Sequence, residues 1–388
     1  MPSSRRRQFL QAAGPVTMLS LAGCTMVQER LGDLRRSAPE RRVAPDWQPA
    51  PGTWAQQGYG PANTNYNPHA TPPRTEPTVD WRREFDYSSR DGGSFVVAEG
   101  RVFVEQEYEL LALDASDGQV LWTRSTDAPA QLAYVDGRLY QFNWDTPEAD
   151  IVAWSPDGEE QWRTTIPDQI RDIHEQSGYV FVAGRSQYWT LHADTGAIVR
   201  ERGDWVRNMA TAGEGLYAAF AGILVRYEVD GRTLSERWRA KSDYPAVSGH
   251  PVVGEGRIYV PQHNFLDDGE PVVVYDTAGK KRGGFDGDGT SYLTLLGDGS
   301  VLVPTERDGG GLVARRPDGS RRWRADVTGR AEAIAADGMV FGGFPLTALD
   351  GESGERLWEL DVGGPRRLAA VDSTLYVRTH DSMLALRA

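Results

Sequence analysis

Leu110-Leu111-Ala112-Leu113-Asp114, then Asp117-Gly118, then Trp122: an apolar run, an acidic glycine turn and a tryptophan follow one another closely. The same line returns along the whole chain. Ile151-Val152-Ala153-Trp154 leads through Asp157-Gly158 to Trp162, and Tyr188-Trp189-Thr190-Leu191 through Asp194-Thr195-Gly196 to Arg200, which stands where tryptophan is expected. Leu224-Val225-Arg226-Tyr227 leads through Asp230-Gly231 to Trp238, and Val272 to Asp276 through Ala278-Gly279 to Phe285. Leu312-Val313-Ala314 runs through Asp318-Gly319 to Trp323, and Leu346 to Asp350 through Ser353-Gly354 to Trp358. The last copy, Met383-Leu384-Ala385-Leu386, ends without turn or tryptophan.

A second line precedes each of these: a turn residue and a short β-branched or aromatic run. It begins at Gly100, Gly137, Gly178, Gly215, Gly256, Gly299, Gly338 and Ser373. Composition and bounding glycines make these strands. Eight copies at a spacing of roughly 40 residues match one four-stranded propeller blade each. The unfinished eighth copy lacks one strand, and Val79-Asp80-Trp81-Arg82 is a tryptophan strand without a repeat of its own. Pairing the two closes the ring and removes the exposed edges that an open ring would leave. The expected fold is therefore all-β: an eight-bladed propeller of four-stranded antiparallel blades, closed by an N-terminal strand in the last blade. Trp81, Trp122, Trp162, Trp238, Trp323 and Trp358 are expected to pack between blades, because they recur around the ring.

The units resemble the quinoprotein (PQQ-like) propeller repeat: apolar-Ala-Leu-Asp, a short gap, Gly, then Trp. Leu111-Ala112-Leu113-Asp114 to Trp122 and Thr347-Ala348-Leu349-Asp350 to Trp358 carry the pattern best, and Trp54, Gly58 and Asn65-Tyr66-Asn67-Pro68 resemble its lead-in. The resemblance covers the chain from about residue 53. It implies a fold, and function remains to be argued from the site.

The N-terminus reads as an export signal. Arg6-Arg7-Gln8-Phe9-Leu10 forms a twin-arginine motif, with Arg6, Arg7, Phe9 and Leu10 its defining residues. The apolar stretch from Ala12 to Leu21 is too short to span a bilayer and is broken by Gly14 and Pro15. Leu21-Ala22-Gly23-Cys24 looks like a lipobox, in which the thiol of Cys24, the sole cysteine, takes the lipid. The expected organisation is a twin-arginine lipoprotein signal peptide at 1–23, a lipidated Cys24 with a disordered tether to residue 52, and the propeller at 53–388. Pro39, Pro45, Pro49 and Pro51 among many charges support the tether reading. The expected location is the cell membrane, lipid-anchored and facing outside the cytoplasm.

Formal net charge is −13, and removing the three arginines before Cys24 leaves −16. Lys241, Lys280 and Lys281 are the only lysines. An acidic, lysine-poor surface resembles that of salt-loving organisms, a haloarchaeon above all; a GC-rich genome gives the same bias towards arginine. Such a surface argues against nucleic acid as a partner.

The chemistry-bearing residues are sparse. Quinoprotein dehydrogenases of this fold imply a quinone, a calcium ion and, in several, a vicinal disulfide, which one cysteine cannot form. Phe285-Asp286-Gly287-Asp288-Gly289-Thr290 has a calcium-loop look but lacks the downstream bidentate Glu, and an acidic turn is the simpler reading. His69, His174, His192, His250, His263 and His380 show no metal spacing and read as strand or surface residues. No catalytic residue, metal ligand or cofactor is expected, with pyrroloquinoline quinone plus calcium left open. The leading expectation is a monomeric, non-catalytic scaffold with a protein partner at the membrane surface, the role of the lipoprotein of the outer-membrane β-barrel assembly machine. The alternatives are a small quinone-dependent dehydrogenase, or a glycan- or solute-binding module using Tyr188, Trp189, Phe142 and Trp144.

Overall fold

In the last blade, the N-terminal strand Thr78–Glu84 lies antiparallel to Ser382–Arg387, with Val79 opposite Leu386 and Trp81 opposite Ala385. This is the pairing that the two incomplete repeats demand. The structure, a computed structural model, describes residues 37–85, 93–106, 108–143, 146–203, 206–213, 215–244, 246–263, 270–287, 292–305, 311–327 and 332–388. Residues 38–388 form one compact unit. It contains eight antiparallel sheets and, among the described residues, no helix.

The inner strands of blades 1 to 8 begin at residues 95, 130, 170, 209, 246, 294, 334 and 367. Blade 1 shows the logic of the apolar runs. Its three inner strands, Phe95–Ala98, Arg101–Gln106 and Glu109–Asp114, are almost wholly buried. Both faces of each sheet pack on neighbouring blades, so the strands read as unbroken apolar runs. The outer strand, Val120–Ser125, alternates between half-buried and exposed residues because only one face meets a neighbour. In every blade the register shifts beside the outer strand, as between Ala112 and Leu113 or between Ala348 and Leu349. A bulge of this kind re-aims the side chain beside it.

Here the re-aimed side chain is the repeated tryptophan. In five of the six its indole lies on the glycine turn of the next blade, and in all six its Nε1 donates to a backbone carbonyl. Trp81 donates to Ala115 O (3.2 Å), Trp122 to Pro156 O (3.0 Å) and Trp162 to Ala193 O (2.8 Å). Trp238 donates to Thr277 O (3.1 Å), Trp323 to Gly351 O (3.0 Å) and Trp358 to Pro73 O (3.1 Å). Burial carries this contact. An indole withdraws on the order of 150–250 Å² from water, up to about 4–6 kcal/mol as an upper bound, whereas its hydrogen bond adds about 1 kcal/mol. Phe285, buried in the equivalent place, keeps the larger part, and Arg315 stacks over its ring at 5.5 Å. Arg200 keeps a polar contact only, from Nη1 to Thr233 Oγ1 at 3.2 Å.

The stretch 38–52 differs from the expected tether. Val43 is buried against blades 2 and 3, and Trp47 packs beside it. Arg41 donates from Nε to Glu175 Oε1 (2.6 Å) and from Nη1 to Asp136 O (2.7 Å), while the Glu40 N–H donates to Asp194 Oδ2 (2.7 Å). The prolines and charges that suggested disorder instead fit an extended arm held by buried carboxylates. Residues 1–36, with the export motif and Cys24, lie outside the described residues.

Candidate functional site

The lead-in segment after the arm closes one end of the central channel. Trp54 pairs with Val97 of blade 1, and Ala55 O accepts from Tyr134 of blade 2. Val43 O accepts from Ser177, Pro61 O from Thr211, Ala62 O from Val253, Thr64 O from Leu295 and Asn65 O from Ala335. The Thr71 N–H donates to Asp372 O. The arm at blade 3 and the lead-in at the other seven blades therefore hydrogen-bond all eight near the C-terminal end of the inner strand. Two asparagines fit it there in the left-handed region, Asn63 at φ 56° and Asn65 at φ 51°. Asn63 Nδ2 donates to Met209 O (2.8 Å) and Pro251 O (3.2 Å), and Asn65 Nδ2 to Leu293 O (3.0 Å). Side-chain amides thus replace the backbone partners that inner strands lack on the channel side.

Above this floor lies a cavity of about 330 Å³ that opens at the other end. Gln56, Gln57 and Gly58 form the base, and the first residues of the inner strands of blades 2 to 6 form the wall. Asp172 of blade 3 is its chemical centre. Oδ1 accepts from its neighbour Ile173 N (2.9 Å) and Oδ2 from Met209 N of blade 4 (2.8 Å). His250 Nδ1 of blade 5 stands 3.2 Å from Oδ2, and His174 Nε2 stands 3.6 Å from the same oxygen. The Asp172 side chain is 14% exposed and that of His174 2%, whereas that of His250 is 39% exposed, so of the two cavity-lining members, Asp172 and His250, the imidazole is the more exposed.

Burial opposes charge on Asp172, but the two imidazoles outweigh it and hold the carboxyl below its ordinary range. Burial likewise disfavours the charged His250, and the Asp172 carboxylate reverses this, so its pKa is raised. Across the channel, Glu332 is pushed up by burial, against the opposing pull of Arg367, Gln57 and Tyr292. Gln57 Nε2 donates to Glu332 Oε1, and Arg367 Nη1 lies 3.9 Å from that oxygen. A carboxylate-oriented imidazole facing a cavity can bind an anion or exchange a proton. Among the described residues lining the cavity there is no serine, threonine, cysteine or lysine to act as a nucleophile.

The donor set does not fit a calcium–quinone pair. Asp172 already faces two imidazoles, nitrogen donors that suit an oxygen-preferring calcium ion poorly, and Glu332 is held by an amide and an arginine. Among the described residues no three His, Cys, Asp or Glu side chains come together as metal ligands. Of the acidic turn, Asp286 pairs with Pro271 in the outer strand of blade 5, and residues 288–290 lie outside the described residues.

The other residues singled out in the sequence lie elsewhere. The six repeat tryptophans sit between blades and none lines the cavity. Tyr188 and Trp189, considered as glycan platforms, are 2% and 1% exposed and belong to the core, because blade 3 is covered on both faces. Phe142 lines the funnel, and Trp144 lies outside the described residues. His192 is buried near Asp194, so of the histidines read as strand or surface residues His174 and His250 alone take part in the funnel cluster. Sequence reading missed that cluster because its members come from different blades. The one local signal was Asp172-x-His174, two residues apart and so on one face of a strand.

A family profile described as outer membrane protein assembly factor BamB matches residues 74–141 and 269–387. With the repeats and the fold, this match over less than half of the chain supports a β-propeller of PQQ-like repeats. The unmatched blades between carry Asp172, His174, Arg200 and His250. Among solved structures, BamB from Moraxella catarrhalis is similar at 14% identity and TM-score 0.63, over 79% of this chain and 98% of that one. A quinohemoprotein alcohol dehydrogenase from Comamonas testosteroni is similar at 13% identity and TM-score 0.64, over 92% and 83%. A europium-containing methanol dehydrogenase is similar at 13% identity and TM-score 0.62, over 90% and 91%. At such identities the likeness is one of fold. No curated protein matches by sequence.

Proposed function

We propose that this protein is a non-catalytic interaction scaffold, lipid-anchored through Cys24 outside the cytoplasm, whose partner-binding face is the open funnel mouth. The observation that carries the reading is the asymmetry of the channel. One end is sealed by a segment hydrogen-bonded to all eight blades, and the other is open and lined by charged side chains on rigid strands. A preorganised surface of this kind binds without the entropy cost of ordering loops. The described residues lining the funnel include an imidazole–carboxylate pair and several amides, groups that suit recognition of a polar partner. The BamB likeness, in profile and in fold, agrees with a protein partner at the membrane.

Pro39 lies over the Gly178 turn of blade 3 and Arg41 beside Asp136 of blade 2, both on the sealed face. Twin-arginine export, and adaptation to salt in keeping with the acidic composition, belong to the same proposal.

Site-directed photo-crosslinking in intact cells tests it. A crosslinker at Gln131, in the funnel, is expected to capture a discrete protein, and one at Asp372, on the sealed face, is not. A funnel position that yields no adduct sinks the scaffold reading. The rival dehydrogenase reading makes a different forecast: pyrroloquinoline quinone with calcium would raise the melting temperature saturably, and the scaffold reading expects no rise.

A further inference from the structure

One junction between neighbouring blades lacks its aromatic plug. At five junctions a Cβ on the turn glycine would fall within 2.8 Å of the indole that covers it, as at Gly158 under Trp122 or Gly354 under Trp323. Between blades 3 and 4 the residue in the indole's place is Arg200, and the turn glycine is Gly231, at φ +53°. A Cβ there would meet a single neighbour within 4 Å, Tyr179 Cε2 at 3.8 Å, so no atom of Arg200 covers the turn. The arginine instead donates from Nη1 to Thr233 Oγ1, and its Nε is buried without a partner. The substitution therefore leaves the turn of blade 4 bare.

The bare turn lines a cavity of about 410 Å³, half open to solvent. That volume falls within the range of ligand pockets, about 300–1,000 Å³. Blades 3 and 4 contribute Ser177, Tyr179 and Gly231, and the arm contributes Pro39, Val43 and Pro45. A tyrosine ring, two proline rings and a glycine backbone are flat, mostly apolar surfaces. Arg42 is the only charged side chain among the lining residues, and it is exposed. A guanidinium at the edge of an apolar cavity complements the electron-rich face of an aromatic ring, that of tryptophan most of all.

We infer that the cavity between the arm and the Gly231 turn is a docking socket for a tryptophan side chain of a partner polypeptide. The chain itself supplies the precedent for the occupant. A turn glycine lies under an indole at five other junctions, and under the ring of Phe285 at Gly319. At the junction of blades 3 and 4 the same ring can come from outside, because the blade does not provide it. An indole buries on the order of 150–250 Å², which a single side chain can bring without ordering a long segment. A leucine or an acyl chain fills the space but forgoes the attraction of Arg42. The socket lies on the sealed face, apart from the funnel, and Asp372 belongs to blade 8 on the opposite side of the ring. The two sites are therefore tested independently.

The test holds the full chain in lipid nanodiscs, free of detergent, with N-acetyltryptophanamide as the probe and saturation-transfer NMR as the readout. The probe is expected to bind saturably, and its leucine counterpart about tenfold more weakly. Arg200→Trp is expected to seat an indole on Gly231 from within, raise the melting temperature and abolish probe binding. Arg200→Gln leaves the turn bare and is expected to keep the binding. Ala44 is exposed and lines the cavity, so it offers a second plug that does not touch the core. Ala44→Trp is expected to abolish binding at an unchanged melting temperature. Probe binding that survives in Ala44→Trp and in a folded Arg200→Trp overturns the inference, as does equal binding of the leucine counterpart. So does tighter binding of decanoate that the same plugs remove, which would make the cavity an acyl site.

Discussion

Gly354 turns at φ +77°, and a Cβ there would lie 2.7 Å from the Trp323 ring. Backbone strain and collision act together, so Gly354→Ala is expected to destabilise by about 2–4 kcal/mol, measured by chemical denaturation. Trp323→Ala removes the ring from the same contact and is expected to cost about 3–5 kcal/mol. Trp323→Phe loses chiefly the bond to Gly351 O and is expected to cost about 1 kcal/mol, as the natural Phe285 implies. A Phe variant as damaging as the Ala variant would contradict the ranking of burial over hydrogen bonding. The pairing of glycine with tryptophan was legible residue by residue, since both recur at fixed places. Which blade's glycine meets which indole was not: Trp122 meets Gly158 of the next blade and not Gly118 of its own. The turn glycine of one blade and the outer strand of its neighbour become adjacent only after the sheets stack.

Among elements, the arm and the floor segment show where sequence signals mislead. Residues 38–52 have the proline and charge content of a tether, yet Arg41 binds Glu175, whose carboxyl is buried and also accepts from Tyr140 Oη at 2.7 Å. Burial pushes Glu175 up in pKa, and Arg41 is the main force opposing it. Arg41→Ala is therefore expected to release the arm and expose residues 38–50 to limited proteolysis, while the rest of the chain stays resistant; an arm that remains uncut would show that Val43 and Trp47 suffice to hold it. The floor is held by Asn63, whose amide makes two bonds to different blades. Asn63→Ala also places alanine at φ 56° and is expected to cost about 2–4 kcal/mol, read as a fall in melting temperature. The asparagines of the lead-in were noticed in the sequence as a resemblance. Their work as amide bridges depends on partners near residues 209, 251 and 293, which no local pattern identifies.

At the scale of the whole molecule, buried titrating groups make stability depend on pH. Burial pushes Glu105 up to about 7 from 4.5, against backbone hydrogen bonds and the charge of Arg378. Between those values the folded chain keeps a proton that the unfolded chain has released, so stability falls as pH rises through that window. The full effect is about 3 kcal/mol. Glu332 acts in the same direction. His250 is raised as well, so its contribution is present below the unfolded value of 6.5 and is lost as pH climbs through the folded one. Asp172 works oppositely: its contribution is present above 3.8 and disappears as pH falls below that. Maximum stability is expected at about pH 4, between these windows, with a lower melting temperature at pH 8 and a flatter profile for Glu105→Gln. A melting temperature that rises steadily from pH 5 to pH 8 would contradict the assignment.

The sequence by itself determined the all-β class, the number of blades and the closure of the ring. Strand period, glycine turns and tryptophan spacing are local quantities, and the unmatched strand at Trp81 answers the unfinished repeat after Leu386. The tertiary structure alone decided what the channel contains. Asp172, His250 and Glu332 come from blades 3, 5 and 7. Each is an ordinary polar residue at the end of a strand when read along the chain. Ring closure turns the ends of the inner strands towards a common axis, where charges far apart in sequence share one low-dielectric space and acquire partners, shifted pKa values and a possible ligand.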